Sequence, residues 1–186
     1  MKKFLSNPVV AMLIAVVVVI ASVLINTKVR FGPICENVRE GFDLGIGSEA
    51  AIASELKTLC NAAERLTILA RQNDTAADEA GELESCIEEM RLQLANEDRP
   101  LHALYTCYET ILRDCFALES ALARLPLSEA DTESLSAAQH DAASAKAAID
   151  DSSYNDSVYS FQKRYHHFPT VQLAGLAGVS MPELFA

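Results

Sequence analysis

A chain of 186 residues with 26 acidic and 15 basic side chains carries a formal charge of −11, and half of its residues are hydrophobic. That length supports one domain with its own core. So acidic a surface repels phosphate, which, with no basic stripe and no aromatic platform, excludes nucleic-acid binding as a function class.

Residues 9–25 (VVAMLIAVVVVIASVLI) form an uncharged run of 17 with a single hydroxyl, enough for about 25 Å of helix in lipid. Lys2 and Lys3 precede it, Lys28 and Arg30 follow, and the first acid is Glu36. Beyond these four bases, eleven basic residues face all 26 acids, a net of −15. The charge pattern thus reads as an acidic domain that meets the bilayer by its tether, not by charge. A cleaved signal peptide begins in the same way, but this run is longer than an ordinary signal core, and the small-residue site Val19-Ile20-Ala21 lies inside it. Retention as a single-pass anchor in the cell (inner) membrane is the expectation. Sidedness stays open, because Lys2 and Lys3 on one side are balanced by Lys28, Arg30 and Arg39 on the other.

Residues 1–30 therefore read as anchor, and residues 31–47 as a flexible neck in which Gly32, Pro33, Gly41, Gly45 and Gly47 interrupt any helix. Residues 48–186 read as a helical bundle with a C-terminal tail. Ser48 is the expected cap of a helix over 49–72, with Ile52, Leu56, Leu59, Ala63, Leu66 and Leu69 at helical spacing. Thr75 and Asp78 give a capping-box pattern for a helix to about 96, with Leu83, Cys86, Ile87, Met90 and Leu94 on its apolar face. Its other face carries Asp78, Glu79, Glu82, Glu84, Glu88 and Glu89.

Asp98 and Pro100 suit the start of a helix to about 125, whose stripe is Leu104, Cys107, Tyr108, Ile111, Leu112, Cys115, Leu118 and Leu122. Pro126 ends it. Ser128 and Asp131 cap a long last helix over 129–167, which meets no Gly or Pro before Pro169. Its inward stripe is first small (Leu135, Ala138, Ala142, Ala145, Ile149) and then bulky (Tyr154, Val158, Phe161, Tyr165). The expected fold is all-α: an N-terminal transmembrane helix followed by an antiparallel four-helix bundle.

Near the end of the chain stand Tyr154-Asn155-Asp156-Ser157-Val158, then Phe168-Pro169-Thr170, then 174–179 (AGLAGV), and finally 181–185 (MPELF). This order and spacing resembles the LemA family, which closes with YN-x-x-V, an FP about ten residues on, a small-residue A-x-x-x-G-type stretch and a final aromatic. The matching positions are Tyr154, Asn155, Val158, Phe168, Pro169, Ala174, Gly178 and Phe185. The family's usual segment of the type IDVQLKRR-x-x-LIPNLV, soon after the anchor, has no counterpart in residues 44–57, which lack the paired Arg and the Pro. The resemblance implies a divergent member: a bacterial single-pass membrane protein with a four-helix bundle and no catalytic residues to carry over. The tail needs cover in any case, since Val171, Leu173, Leu176, Val179, Leu184 and Phe185 are strongly apolar.

Five cysteines (35, 60, 86, 107 and 115) are odd in number and form no C-x-x-C pair, which opposes a zinc ribbon or thioredoxin-type site. Four sit at apolar helix positions and read as packed thiols, with a disulfide left open in an oxidising compartment. His166 and His167 are neighbours on a helix about 100° apart and read as a helix-end pair, not as chelators. His102 and His140 fit no H-E-x-x-H. The acidic face lacks a D-x-D-x-D-G loop and reads as solvated, and no glycine-rich phosphate loop or G-x-S-x-G occurs. The sequence thus points to a non-enzymatic interaction or scaffold protein without cofactor or metal, touching lipid through residues 9–25 and a protein partner or a second copy. A self-assembling structural or sensory element is the alternative, with the Ala138–Ala145 stripe pairing copies, and a metal-dependent hydrolase using the acidic face is a third.

Overall fold

The computed structural model describes residues 8–73, 75, 77–96 and 99–186, with backbone alone at 77–79. Its elements are α1 (Pro8–Leu44), α2 (Ile52–Gln72), α3 (Ala77–Leu94), α4 (Leu101–Leu122), α5 (Glu129–Asp150), α6 (Tyr154–Tyr165) and α7 (Thr170–Leu176), with no strand among the described residues. Helix α1 is long and apolar enough to cross a membrane, and its most apolar stretch is entirely uncovered by protein. The fold is all-helical, with this apolar helix followed by a helical bundle.

The chain divides into two compact units, Met1–Arg39 with Val158–Pro182, and Glu40–Ser157 with Glu183–Ala186. The larger unit contains the bundle. Ion pairs and hydrogen bonds give its directions. Arg71 pairs with Glu84 and Arg91 with Glu64, so α2 and α3 run antiparallel. Arg65 pairs with Asp141 at 2.8 Å, and Glu49 receives Ser153, which sets α5 antiparallel to α2. Helix α2 packs on α3, α4 and α5 together, and half its length is correspondingly buried: Leu56, Leu59, Ala62, Ala63, Leu66 and Ala70 are sealed from solvent. The remaining core comes from Leu83 and Met90 of α3, Leu104, Ile111, Leu118 and Leu122 of α4, and Ala138 and Ala145 of α5. The small stripe of α5 is thus spent inside the chain, where alanines let the α5 and α2 backbones approach closely.

Several boundaries differ from the sequence expectation. Residues 31–44 continue α1 through Gly32, Pro33 and Gly41. Phe31 and Cys35 are buried on protein in one unit and Phe42 in the other, and that packing outweighs the helix-breaking tendency of glycine and of an interior proline. Gly45 is the residue that ends α1: it sits at φ +79°, and any Cβ there would fall 2.2 Å from the Glu49 carbonyl oxygen. The loop this creates delays α2 to Ile52, so Ser48 does not cap it. Ala51 occupies the cap position without a side-chain bond.

The long last helix is broken at Asp151, Ser152 and Ser153. Ser152 Oγ accepts the Tyr154 N–H at 3.3 Å, and Ser153 gives both its N–H and its hydroxyl to the Glu49 carboxylate at 2.9 and 2.7 Å. Side-chain partners of this kind compete with helix continuation. At Ser128 the expected cap is present: its Oγ accepts the Asp131 N–H at 3.1 Å. The Asp98 cap lies outside the described residues, as does the Asp78 side chain of the other capping box.

The smaller unit has its own apolar patch, where Phe31 and Cys35 of α1 meet Phe161 of α6 and Ala174 of α7, flanked by Val38, Tyr165, Val179 and Met181. Helix α7 ends in a Schellman turn: Gly178, at φ +67°, lets Val179 N–H reach the Ala174 carbonyl at 2.9 Å and its own N–H reach Gly175 at 3.1 Å.

Candidate functional site

Three of the motif positions, Tyr154, Asn155 and Phe185, converge in the larger unit. Helix α6 opens immediately after the Ser152-Ser153 turn, which places Tyr154 and Asn155 on its first turn. The chain terminus Glu183–Ala186 lies against them. The Asn155 amide reads the backbone of Phe185 in both directions, donating from Nδ2 to its carbonyl and accepting its N–H on Oδ1, each at 2.9 Å. Tyr154 donates its hydroxyl to the Glu183 carbonyl at 2.9 Å. A side-chain amide is suited to this task because it carries one donor and one acceptor side by side.

The Phe185 ring fills a pocket of aromatic faces, with Phe42, Tyr105 and Tyr108 at centroid distances of 5.6, 5.3 and 5.7 Å, and is 3% exposed. Phe42 in turn meets Tyr154 edge to face at 73°. Such arrangements satisfy the ring quadrupoles while burying large apolar area. Arg99 covers the outer face of Phe42 at 5.1 Å and pairs with Asp43. The terminus reaches α4 as well: Glu183 Oε2 accepts the Leu101 N–H at 3.4 Å, a negative charge at the positive end of the helix, and the His102 Nδ1 lies 2.9 Å from the Ala186 carbonyl oxygen. The result is a clasp that fastens the last four residues to α1, α4 and α6 within this unit.

The other motif positions lie elsewhere. Val158 is fully buried, Ala174 belongs to the patch of the smaller unit, and Gly178 shapes the turn after α7. Phe168 and Pro169 are exposed and join neither group. Phe42, Arg99 and Tyr105 were not singled out by the sequence. Phe42 falls in the stretch that glycines marked as a neck. The only written signal for it is its spacing from Phe31, Cys35 and Val38 at intervals of four, three and four.

The reactive groups are quiet. Burial pushes the Cys60 thiol up to about 11 and Cys115 up to about 12, and raises Cys86 and Cys107 as well. All five cysteines are free, and thiols held protonated at neutral pH are poor nucleophiles and poor metal ligands. Among the described residues no three of His, Cys, Asp or Glu converge to hold a metal ion. On the acidic face Glu84 is engaged by Arg71, while Glu82, Glu88 and Glu89 stand exposed. The His166 and His167 pair follows the C-terminal end of α6, with the His166 N–H on the Gln162 carbonyl at 2.8 Å.

No protein-family model, no curated protein and no solved structure matches the chain.

Proposed function

We propose that this chain is a LemA-like, single-pass bacterial membrane protein whose acidic helical bundle serves as a non-enzymatic interaction module beside the inner membrane. The supporting observation is the division of labour along α1. Its apolar stretch is wholly uncovered, as a lipid-facing helix must be, while its later residues Phe31, Cys35 and Phe42 are buried in protein. An uncleaved anchor follows from this reading, because removing residues before Ser22 would leave α1 without its lipid-facing half.

A protein partner is favoured over self-assembly through α5, since Ala138, Ala142 and Ala145 are already covered within the chain. The partner face is the outer surface of α3, where Glu82, Glu88 and Glu89 stand exposed and would steer a basic surface into contact. The test is photocrosslinking from position 85 of α3 in native membranes. A heteromeric adduct lost in the triple variant Glu82→Gln, Glu88→Gln, Glu89→Gln is the expected result. Recovery of the uncrosslinked monomer alone overturns the reading.

A further inference from the structure

We propose that the turn at residues 166–169 is a second membrane contact, in which Phe168 enters the headgroup layer of an anionic leaflet beside the point where α1 leaves the lipid. The proposal rests on the reading of residues 9–25 as a bilayer span. Phe168 is 80% exposed, unusual for a phenylalanine on a folded surface, and His166, His167 and Pro169 around it are exposed as well.

The geometry within the smaller unit brings this turn to the interface. Phe31 is the first buried residue of α1, six positions beyond Ile25, hence about 9 Å along the axis from the end of the apolar run. Tyr165, the last residue of α6, packs edge-on against Phe31 at 5.2 Å. Three residues further, at up to about 3.5 Å per residue, Phe168 is within reach of the headgroup region, which is about 5–7 Å deep on each side of the hydrocarbon core. An aromatic ring on a short turn is the chemistry that enters that layer.

Charge selects the same surface. After the span, the smaller unit carries Lys28, Arg30, Arg39, Lys163 and Arg164 against the single acid Glu36, its other two bases, Lys2 and Lys3, preceding the span, whereas the larger unit carries eight bases against 25 acids. The positive charge is therefore gathered on the unit that holds the lipid-facing helix. This revises the expectation from overall composition that the domain meets the bilayer by its tether alone. Basic residues at a membrane surface are attracted to anionic headgroups.

The chain has no tryptophan, so each introduced indole reports alone. The full chain is reconstituted in phosphatidylcholine vesicles with and without phosphatidylglycerol. Phe168→Trp is compared with Val17→Trp, whose position is in the span. The expected result is quenching of the residue-17 indole by lipids brominated deep in the acyl chain. The residue-168 indole is blue-shifted and quenched by lipids brominated near the headgroup, more strongly with phosphatidylglycerol present and less after Lys163→Gln with Arg164→Gln. A residue-168 indole with water-like emission and no quenching, beside a quenched residue 17, overturns the contact while leaving the anchor standing. Equal quenching with and without the anionic lipid overturns the charge selection. An unquenched residue 17 overturns the anchor reading and this proposal with it.

Discussion

At the scale of single residues, neighbouring positions on α4 carry very different weight. Ile111 is sealed in the core, while Leu112, which the spacing also placed inward, is only partly covered. A stripe at intervals of three and four leaves a choice between adjacent residues at its edge, and only the position of the packing neighbours decides it. Ile111→Ala should cost about 2–5 kcal/mol, and Leu112→Ala clearly less, in urea unfolding of the detergent-held chain. Equal losses would place both in the core.

Acidic residues divide in the same way. Hydrogen bonds from Ser153 lower the Glu49 pKa, and the Arg91 hydrogen bond lowers that of Glu64, so both stabilise the fold at and above the ordinary glutamate range and lose that contribution as pH falls below it through their lowered values. Burial raises Glu119, with only partial relief from Gln139, so its ionised form weakens the fold at neutral pH. Glu119→Gln should raise the unfolding midpoint at pH 7. The gain should disappear below about pH 4, where an unfolded glutamate is itself protonated.

At the scale of elements, the clasp is the part that most needs a measurement. Asn155→Ala removes both bonds to the Phe185 backbone, and leaving those groups unpaired should cost about 1–3 kcal/mol. Hydrogen exchange at the Phe185 amide should accelerate well beyond that of the α2 core. An unchanged exchange rate would mean the terminus is held by its ring alone. The stripes of α2, α3 and α5 were legible in the sequence because burial on one helical face repeats at a fixed interval: Ile52 to Leu69, Leu83 to Leu94 apart from the partly covered Cys86, and Leu135 to Ile149 point inward. The end of the α5 helix was not, because its stop signal is neither Gly nor Pro but two serines. Ser153 finds its partner in Glu49, 104 positions away. The continuation of α1 through Gly32 and Pro33 was hidden for a related reason, since the packing that holds it comes from distant segments. Of the clasp, sequence reading supplied Tyr154, Asn155 and Phe185, and placed Tyr108 inward, but did not find Phe42 and Tyr105, which complete the pocket that receives the ring.

At the scale of the whole molecule, charge is the organising quantity. The larger unit concentrates 25 of the 26 acids, and so uneven a distribution stores self-repulsion that ions relieve. Raising salt from about 0.01 to 0.1 M shortens the screening length from about 30 to about 10 Å. The midpoint of urea unfolding, urea being uncharged, should rise over that interval. A fall would mean that ion pairs such as Arg65 with Asp141 outweigh the repulsion.

The sheltered sulfur atoms carry a consequence for biogenesis. With all five cysteines free, and Cys60, Cys107 and Cys115 of the bundle buried while Cys86 is partly covered, the fold asks for no electron acceptor while it forms. A core closed without disulfides gains no stability from an oxidising compartment and loses none to a reducing one.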